Sequence, residues 1–165
     1  MTLEPHQSHL DVWGHTNNVC YIQWMQDVAV AHSAALGWDS KEYLSHNSMW
    51  VVRSHSIEYK HSSYLGDRIF VQTWIAEMRK VSCLRRYRFL KLPKEMDIPE
   101  VSSPCGFIAR DALDKYSPEL LASAETTWAF VSSDALKPIR VFSDLSALFD
   151  LSVEECRNRF RPKEF

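Results

Sequence analysis

A single carboxylate stands directly before a glycine-containing turn and the start of a helix. The stretch is Asp11-Val-Trp-Gly-His-Thr-Asn-Asn18. The first backbone N–H groups of a helix have no partners within the helix and carry the positive end of its dipole. A carbonyl oxygen held at those groups would be polarised, and Asp11 would lie within reach of the same carbon. This pairing of an oxyanion site with a carboxylate suits acyl transfer.

The turn contains two further residues that bear on this chemistry. Gly14 lets the backbone bend and lets a ligand approach closely. His15, beside it, either contacts the reacting group or only hydrogen-bonds the backbone, and both interpretations stay open. Asp11 alone would fit an ordinary turn or cap residue, but the full spacing favours catalysis. One good oxyanion donor would contribute roughly 3–4 kcal/mol.

A metal site is the alternative use of the N-terminal histidines. The segment His6-x-x-His9-x-Asp11 has two imidazoles and a carboxylate close in sequence. That spacing is common by chance, and no metal motif containing Cys or Glu accompanies it. The four cysteines are scattered without a Cys-x-x-Cys pair, which argues against both zinc and a disulfide framework. We expect no metal ion and no cofactor.

One helix must position this turn. Residues 18–36 predict a helix that Asn17 or Asn18 caps and Gly37 ends. The helix is apolar nearly all round, which is typical of a helix buried on most sides. A second, short helical turn is predicted from Asp39 to His46.

From Ser48 onward, the pattern of apolar residues changes from a helical period to the alternation of a strand. Strands are predicted at 49–61, 68–78, 82–92 and 120–132. In the first of these, alternation puts Val51, Ile57 and Tyr59 on one face. Short turns between long strands indicate an antiparallel sheet. This sheet must curl around the apolar helix, so the predicted fold class is α+β. Because the sheet edges and one side of the helix stay uncovered, we expect at least a dimer.

Two segments depart from the strand pattern. Residues 93–119 hold four prolines and read as a long insertion between strands. Residues 143–161 should be helical, with a break near Asp150–Ser152 and a capping box formed by Ser152 and Glu155. The length of 165 residues suits a single domain over 1–165.

Composition excludes several classes of protein. The net charge is −2 and no long basic block is present, so no nucleic acid is expected as a partner. The chain shows no signal-peptide pattern at its start and no apolar run long enough to cross a bilayer. We therefore expect a cytoplasmic protein with no membrane partner.

The motif around Asp11 resembles the signature of a known family. The pattern Asp11-x-x-Gly14-His15-x-Asn17-Asn18-x-x-Tyr21 resembles the signature of the 4-hydroxybenzoyl-CoA thioesterase branch of the hotdog superfamily. It is also similar to the helix-start motif of acyl-acyl-carrier-protein thioesterases. Residues 57–74 resemble the family's strand, Gly-Asp turn and strand, and 125–141 resemble its closing strand and Pro-containing tail. The resemblance covers roughly 9–92 and 120–150, and it implies a hotdog fold, a curved antiparallel sheet wrapped around a long central helix.

The resemblance also implies roles for individual residues. Asp11 would be the nucleophile or general base, and the backbone N–H of Asn18 would be the oxyanion donor. His15 and Asn17 would orient the thioester or hold the turn in shape, with Gly14 and Tyr21 as further substrate-binding candidates, although a place in the core is the more expected one for Tyr21. Two departures from the family are expected, a short first strand and a long insertion at 93–119.

In such hotdog enzymes the pocket lies at a subunit interface, so a partner's strand residues would line it. Glu58, His61 and Ser62 are the candidates to lie opposite Asp11. CoA phosphates need cations, and Arg79, Lys80, Arg85 or Arg86 would supply them unless this cluster is only a solvated strand face.

The predicted function is thus hydrolysis of an acyl-CoA or acyl-carrier-protein thioester by a homodimer or homotetramer. Two rivals are a hydroxyacyl-thioester dehydratase, for which the helix offers only Asp27 and His32, and a non-catalytic protein that binds acyl thioesters. The acyl group, aryl or fatty, stays open, as does the choice between direct attack by Asp11 and base-assisted attack by water.

Overall fold

The computed structural model of the protein describes residues 1–94 and 117–149. A 3-10 turn, Gln7–His9, precedes the first α-helix, and residues 143–149 are helical. The remaining elements are, in chain order, β1 Thr2–Leu3, α1 Asn18–Ala35, α2 Ser40–Ser45, β2 Ser48–Tyr59, β3 Arg68–Met78, β4 Ser82–Leu92 and β5 Glu119–Ser132. The predicted helix, helical turn and four long strands are confirmed to within about two residues at each end.

The five strands form one curved antiparallel sheet in the order β1-β3-β4-β5-β2. The first strand is only two residues long, as expected, and it pairs with the beginning of β3. At the other edge lies β2, whose free side has no neighbouring strand within the described part of the chain. One long, unpaired edge therefore remains open.

The core lies between α1 and the sheet. Tyr21, Trp24, Met25, Val28 and Ala29 of α1 are buried against apolar side chains of the three central strands. The opposite side of α1 is open in the single chain, because its valines and isoleucine at 19, 22 and 30 are exposed. Burial of α1 on most sides would therefore need a cover that the described residues do not supply.

The predicted facing of β2 is wrong in one place. A register shift between Val52 and Ser54 marks a β-bulge in its pairing with β5. Trp50 and Val52 face the core before this bulge, whereas Ile57 does so after it. Val51 is therefore exposed on the other face from Ile57, because one extra residue reverses the alternation.

Both ends of α1 follow the sequence signals. The side-chain oxygen of Asn17 accepts a hydrogen bond from the N–H of Val19, so Asn17 is the N-cap. Gly37 follows the last turn with a φ of +86°, a conformation that glycine adopts without strain. In α2, Asp39 caps the helix by accepting from the N–H groups of Lys41 and Glu42.

Several predictions lie wholly or mostly outside the described residues. These are the 93–119 insertion, apart from its ends, and the helical segment beyond 149 with its capping box at Ser152 and Glu155. None of the helices in 1–94 and 117–149 combines the length and the hydropathy needed to cross a bilayer.

Candidate active site

Asp11 organises the turn that leads into α1. Its Oδ1 accepts hydrogen bonds from the backbone N–H of Trp13 (2.9 Å) and of His15 (3.0 Å). Its own N–H donates to the carbonyl of His15 (2.8 Å), and its carbonyl accepts from the N–H of Gly14 (3.1 Å). Gly14 has a φ of +80°, so the turn requires the glycine. The second carboxylate oxygen, Oδ2, has no hydrogen-bond donor among the described residues.

The first turn of α1 leaves one backbone donor unused. The N–H of Val19 donates to the side chain of Asn17, and the N–H of Cys20 donates to the carbonyl of Asn17 (2.9 Å). No acceptor within the described part of the chain takes the N–H of Asn18. This open donor lies at the positive end of the helix dipole.

Two neighbouring segments hold the turn against the sheet. The N–H of Thr16 donates to the carbonyl of Ser63 (2.8 Å), and the hydroxyl of Ser63 donates to that of Thr16 (2.7 Å). The Tyr21 hydroxyl shares a 2.9 Å hydrogen bond with Ser63. Tyr21 is 2% exposed, so in the single chain it anchors the turn and faces the core.

Tyr59, which was not among the predicted site residues, contacts the start of α1. Its hydroxyl donates to the carbonyl of Asn18 (3.1 Å) and its ring packs edge-on to Tyr21. The alternation of β2 placed Tyr59 on the inner face of the strand, and its position near the end of β2 was the signal that it could reach the helix start.

His15 lies between Asp11 and Tyr64. Its backbone N–H holds the carboxylate, its backbone pairs with Tyr64, and the two rings are 5.2 Å apart in an edge-on arrangement. Beside it, Val12 and Trp13 are exposed, with Trp13 78% accessible. The open side of the turn is therefore apolar.

The three residues predicted to line the pocket from a partner do not meet Asp11 within one chain. Glu58 pairs with Lys60 (3.1 Å), and His61 lies 3.5 Å from Glu119, all on the surface. Ser62 is exposed as well. Their proposed place opposite Asp11 depends on a second subunit and stays a prediction.

The predicted cations divide into two environments. Arg79 and Lys80 are exposed in the β3–β4 turn, where Arg79 forms a bidentate pair with Glu77 (2.8 and 2.7 Å). Arg86 pairs with Glu125 on the outer face of the sheet. Arg85, by contrast, is 4% exposed and points to the inner face. Of the predicted phosphate-binding set, Arg85 is therefore not available at the surface of the single chain.

The pair that a dehydratase would need is not assembled. Asp27 is exposed and accepts a hydrogen bond from Gln23 (2.8 Å). His32 turns toward the core, where its Nδ1 lies 3.0 Å from Nη1 of Arg85. Burial, with Arg85 adding to the effect, lowers the pKa of His32 to about 3, so its imidazole is neutral. The two side chains leave α1 in different directions and do not form one acid–base site.

The two N-terminal histidines contact each other, and one of them also contacts Trp24. Nδ1 of His9 accepts from the N–H of His6 (3.0 Å), and the His9 ring packs edge-on against Trp24. Over residues 1–94 and 117–149, no three His, Cys, Asp or Glu side chains come together as a metal site would require.

Comparison with known sequences gives one family. The chain matches the family described as "Acyl-ACP thioesterase N-terminal domain" over residues 6–104, which includes the turn and α1. No curated protein matches the chain.

Solved structures share the fold at low sequence identity. DHNA-CoA thioesterase from Staphylococcus aureus is 17% identical, with 100% of this chain and 96% of that chain covered at a TM-score of 0.72. A hypothetical protein from the same organism, solved in complex with CoA, is 12% identical, with coverages of 100% and 87% and a TM-score of 0.73. The probable thioesterase YbaW from Escherichia coli is 17% identical, with coverages of 90% and 93% and a TM-score of 0.65. These similarities confirm the hotdog fold class.

Proposed function

The chain belongs to the acyl-ACP thioesterase family, and from this we propose that it hydrolyses the thioester of an acyl group carried on coenzyme A or on a carrier protein. The resemblance to the 4-hydroxybenzoyl-CoA branch is a narrower prediction, and it concerns the acyl group rather than the reaction.

The observation that carries the proposal is a carboxylate oxygen and a backbone N–H, at the two ends of one short turn, that have no hydrogen-bond partner among residues 1–94 and 117–149. Oδ1 of Asp11 is occupied by two backbone N–H groups, which fix the carboxylate and leave Oδ2 open. The N–H of Asn18 is open at the start of α1. A thioester whose carbonyl oxygen accepts from Asn18 would present its carbon toward the carboxylate.

Two routes lead from this arrangement to the same products. In the first, Oδ2 of Asp11 attacks the carbonyl carbon, the C–S bond breaks, and the thiolate leaves and takes a proton from water. Water then hydrolyses the resulting mixed anhydride, which releases the acid and restores Asp11. In the second, Asp11 takes a proton from a water molecule as that water attacks the carbon. In both, the Asn18 N–H stabilises the oxyanion.

His15 and Gly14 act on this chemistry through the turn. The His15 N–H holds Oδ1, so Oδ2 is the oxygen left for chemistry. A Cβ at Gly14 would meet no atom within 4 Å in the single chain, so space is open at the turn for a ligand to approach. Replacement of the glycine would strain a positive φ rather than cause a clash.

The group that carries the acyl chain, coenzyme A or a carrier protein, is a more specific part of the proposal. The family's name points to a carrier protein, while two of the structural neighbours are named for CoA or were solved with it. Either carrier brings phosphates, for which Lys80 and the Glu77-paired Arg79 are the exposed cations in the β3–β4 turn. We propose that the working form is a dimer, in which the partner's copies of residues 58, 61 and 62 complete the pocket.

The decisive experiment is thiol release from short, long and aromatic acyl-CoAs by wild type and D11N. Asparagine keeps an Oδ1 that can accept both N–H groups of the turn, so D11N should fold and bind while Oδ2 is lost. We expect release by wild type and a loss of about 10²–10⁴-fold in kcat for D11N. The matched control is D39N, which alters a carboxylate that also accepts two backbone N–H groups at a helix start.

Each result has a distinct meaning. Equal loss in D11N and D39N would assign the effect to folding and remove Asp11 from the chemistry. If the wild-type protein releases no thiol from any CoA ester, it is next assayed with acyl-carrier-protein esters. Failure with those as well, together with saturable binding of an acyl thioester, would replace hydrolysis by a binding function.

A further inference from the structure

A cavity lies away from Asp11, behind the C-terminal half of α1. Its volume is about 270 Å³, and its walls are mostly aromatic and aliphatic, with Trp38, Trp50, Trp128 and Phe149 among the lining residues. An apolar cavity of about 150 Å³ is enough to hold benzene. This cavity is therefore large enough for a ring or a medium-length alkyl chain.

One wall of this apolar cavity carries a buried positive charge. Arg85 of β4 lines it and is 4% exposed. Nη1 of Arg85 donates to Nδ1 of His32 (3.0 Å) and to the hydroxyl of Thr73 (3.2 Å), and both partners are neutral. Nε and Nη2 have no acceptor among the described residues, although a guanidinium carries five N–H donors.

No carboxylate of the described chain compensates this charge. The titratable groups that act on Arg85 are Tyr43, Cys83 and Tyr87. Burial raises the pKa of each of the three, that of Cys83 to about 11, so all are neutral at pH 7. A buried cation without an anion is costly, which is why buried charges in proteins are normally paired.

A second donor lines the same cavity. Trp128 is 6% exposed, and its indole N–H has the neutral Tyr87 hydroxyl nearby but makes no hydrogen bond of good geometry within the described part of the chain. Buried donors without partners are rare in native structures. Arg85 and Trp128 thus both offer hydrogens, and neither residue is supplied with an anionic acceptor by the described chain.

We propose that this cavity binds an organic carboxylate, whose apolar body fills the aromatic walls while the carboxylate accepts from Arg85 and Trp128. The carboxylate can be the acidic far end of an acyl group or a free carboxylic acid. α1 rises 1.5 Å per residue, so Ala29 and Ser33 in the cavity wall lie roughly 16 and 22 Å along the helix from Asn18. A short acyl group attached at Asn18 in the same chain cannot span that distance.

The test is calorimetric titration of the protein with octanoic acid and, as the uncharged match, with octan-1-ol. We expect saturable binding of octanoate with one ligand per chain, and binding of the alcohol at least about tenfold weaker, as loss of a charge-assisted hydrogen bond predicts. R85M should remove the preference for the acid. R86M is the matched control, because Arg86 is the next residue of β4 but lies on the outer face with Glu125.

Three results would overturn the proposal: no saturable binding of octanoate by wild type, equal affinity for the alcohol, or an unchanged preference in R85M. If R85M fails to fold, R85K takes its place, since it keeps the charge but loses the planar fork of donors and should weaken octanoate binding. The comparison of acid with alcohol in wild type tests the proposal without any variant.

The source of the carboxylate is assigned with the thioesterase assay, and this part rests on the proposed function. Faster turnover of an ω-carboxyacyl-CoA than of the plain acyl-CoA of equal length, lost in R85M, would identify the acyl group as the ligand. If octanoate binds to wild type and to D11N and does not compete with the substrate, the ligand of the cavity is a free carboxylic acid. Because the titration needs no turnover, failure of hydrolysis leaves the binding result intact.

Discussion

His32 shows how one buried cation changes a neighbouring residue. The imidazole accepts from Arg85 through Nδ1, and burial lowers its pKa to about 3. In the unfolded chain the same histidine should titrate near its ordinary value of about 6.5. Between these two pH values the unfolded state therefore binds more protons than the folded state, and stability falls as the pH falls.

This gives a prediction for the pH dependence of stability. From pH 8 to pH 5, protonation of His32 in the unfolded state should lower the free energy of unfolding by about 2 kcal/mol. Denaturant unfolding at a series of pH values measures it. H32N keeps an acceptor for Arg85 but does not titrate, so its profile should be flatter over this range by that amount. H46N, which alters an exposed histidine, should follow wild type, and an H32N profile as steep as that of wild type would contradict the assignment.

At single positions, the sequence was informative where the signal is local. Asp11, Gly14 and Asn17 are close along the chain, and a turn followed by a helix cap can be read from their spacing. Arg85 was grouped with exposed cations, although it alternates with Cys83, Tyr87 and Phe89, which are all buried. Alternation along the strand placed it on the inner face, but the cost of burying a charge made that orientation the less expected one.

At the scale of elements, the start of α1 joins stability to the proposed chemistry. Asn17 caps the helix, and the next residue, Asn18, supplies the open N–H. Asp39 caps α2 in a similar way, remote in sequence from Asp11. The two caps can therefore be compared, because both stabilise a helix start but only Asn17 adjoins the candidate site.

N17A and D39A should each lower the free energy of unfolding by about 1 kcal/mol, the usual cost of a lost cap. Only N17A should also lower kcat, because fraying of the first turn displaces the Asn18 N–H. Thermal unfolding and thiol release on both variants measure the two effects. A kcat of N17A equal to that of D39A would argue against an oxyanion role for Asn18.

The bulge in β2 marks the limit of prediction for elements. The ends of the four long strands were predicted to within about two residues, because alternation and turn residues are local signals. The bulge between Val52 and Ser54 carries no glycine or proline to mark it. It arises from pairing with a strand about seventy residues away, which no local pattern encodes.

For the whole molecule, the open β2 edge and the exposed apolar residues of α1 argue for a second copy of the chain. No strand of the described residues pairs with the free side of this twelve-residue edge, and proteins normally cover such a surface. Val19, Ile22 and Val30 follow one side of α1, at spacings that bring them into line. The overall fold could be predicted from sequence, but residues that a partner would add to the site can be placed only in an assembly.

We expect sedimentation equilibrium to give about 38 kDa or a multiple of it, against 19.2 kDa for one chain. I22E should shift the protein toward monomer, since it places a charge in the apolar stripe, and should lower thiol release in parallel. V81E, which alters an exposed apolar residue in the β3–β4 turn, is the control and should stay assembled. If I22E is monomeric and fully active, the hypothesis that a partner subunit contributes to the site is wrong.

The accessibility of Trp13 has a practical consequence. It is the one exposed tryptophan of the six, all of which lie in the described part of the chain, and it stands two residues from Asp11. Its fluorescence should be quenched by iodide far more than that of the others. The part of the emission that iodide removes is thus an optical signal chiefly from the candidate site, and protection from iodide would report when that site is covered.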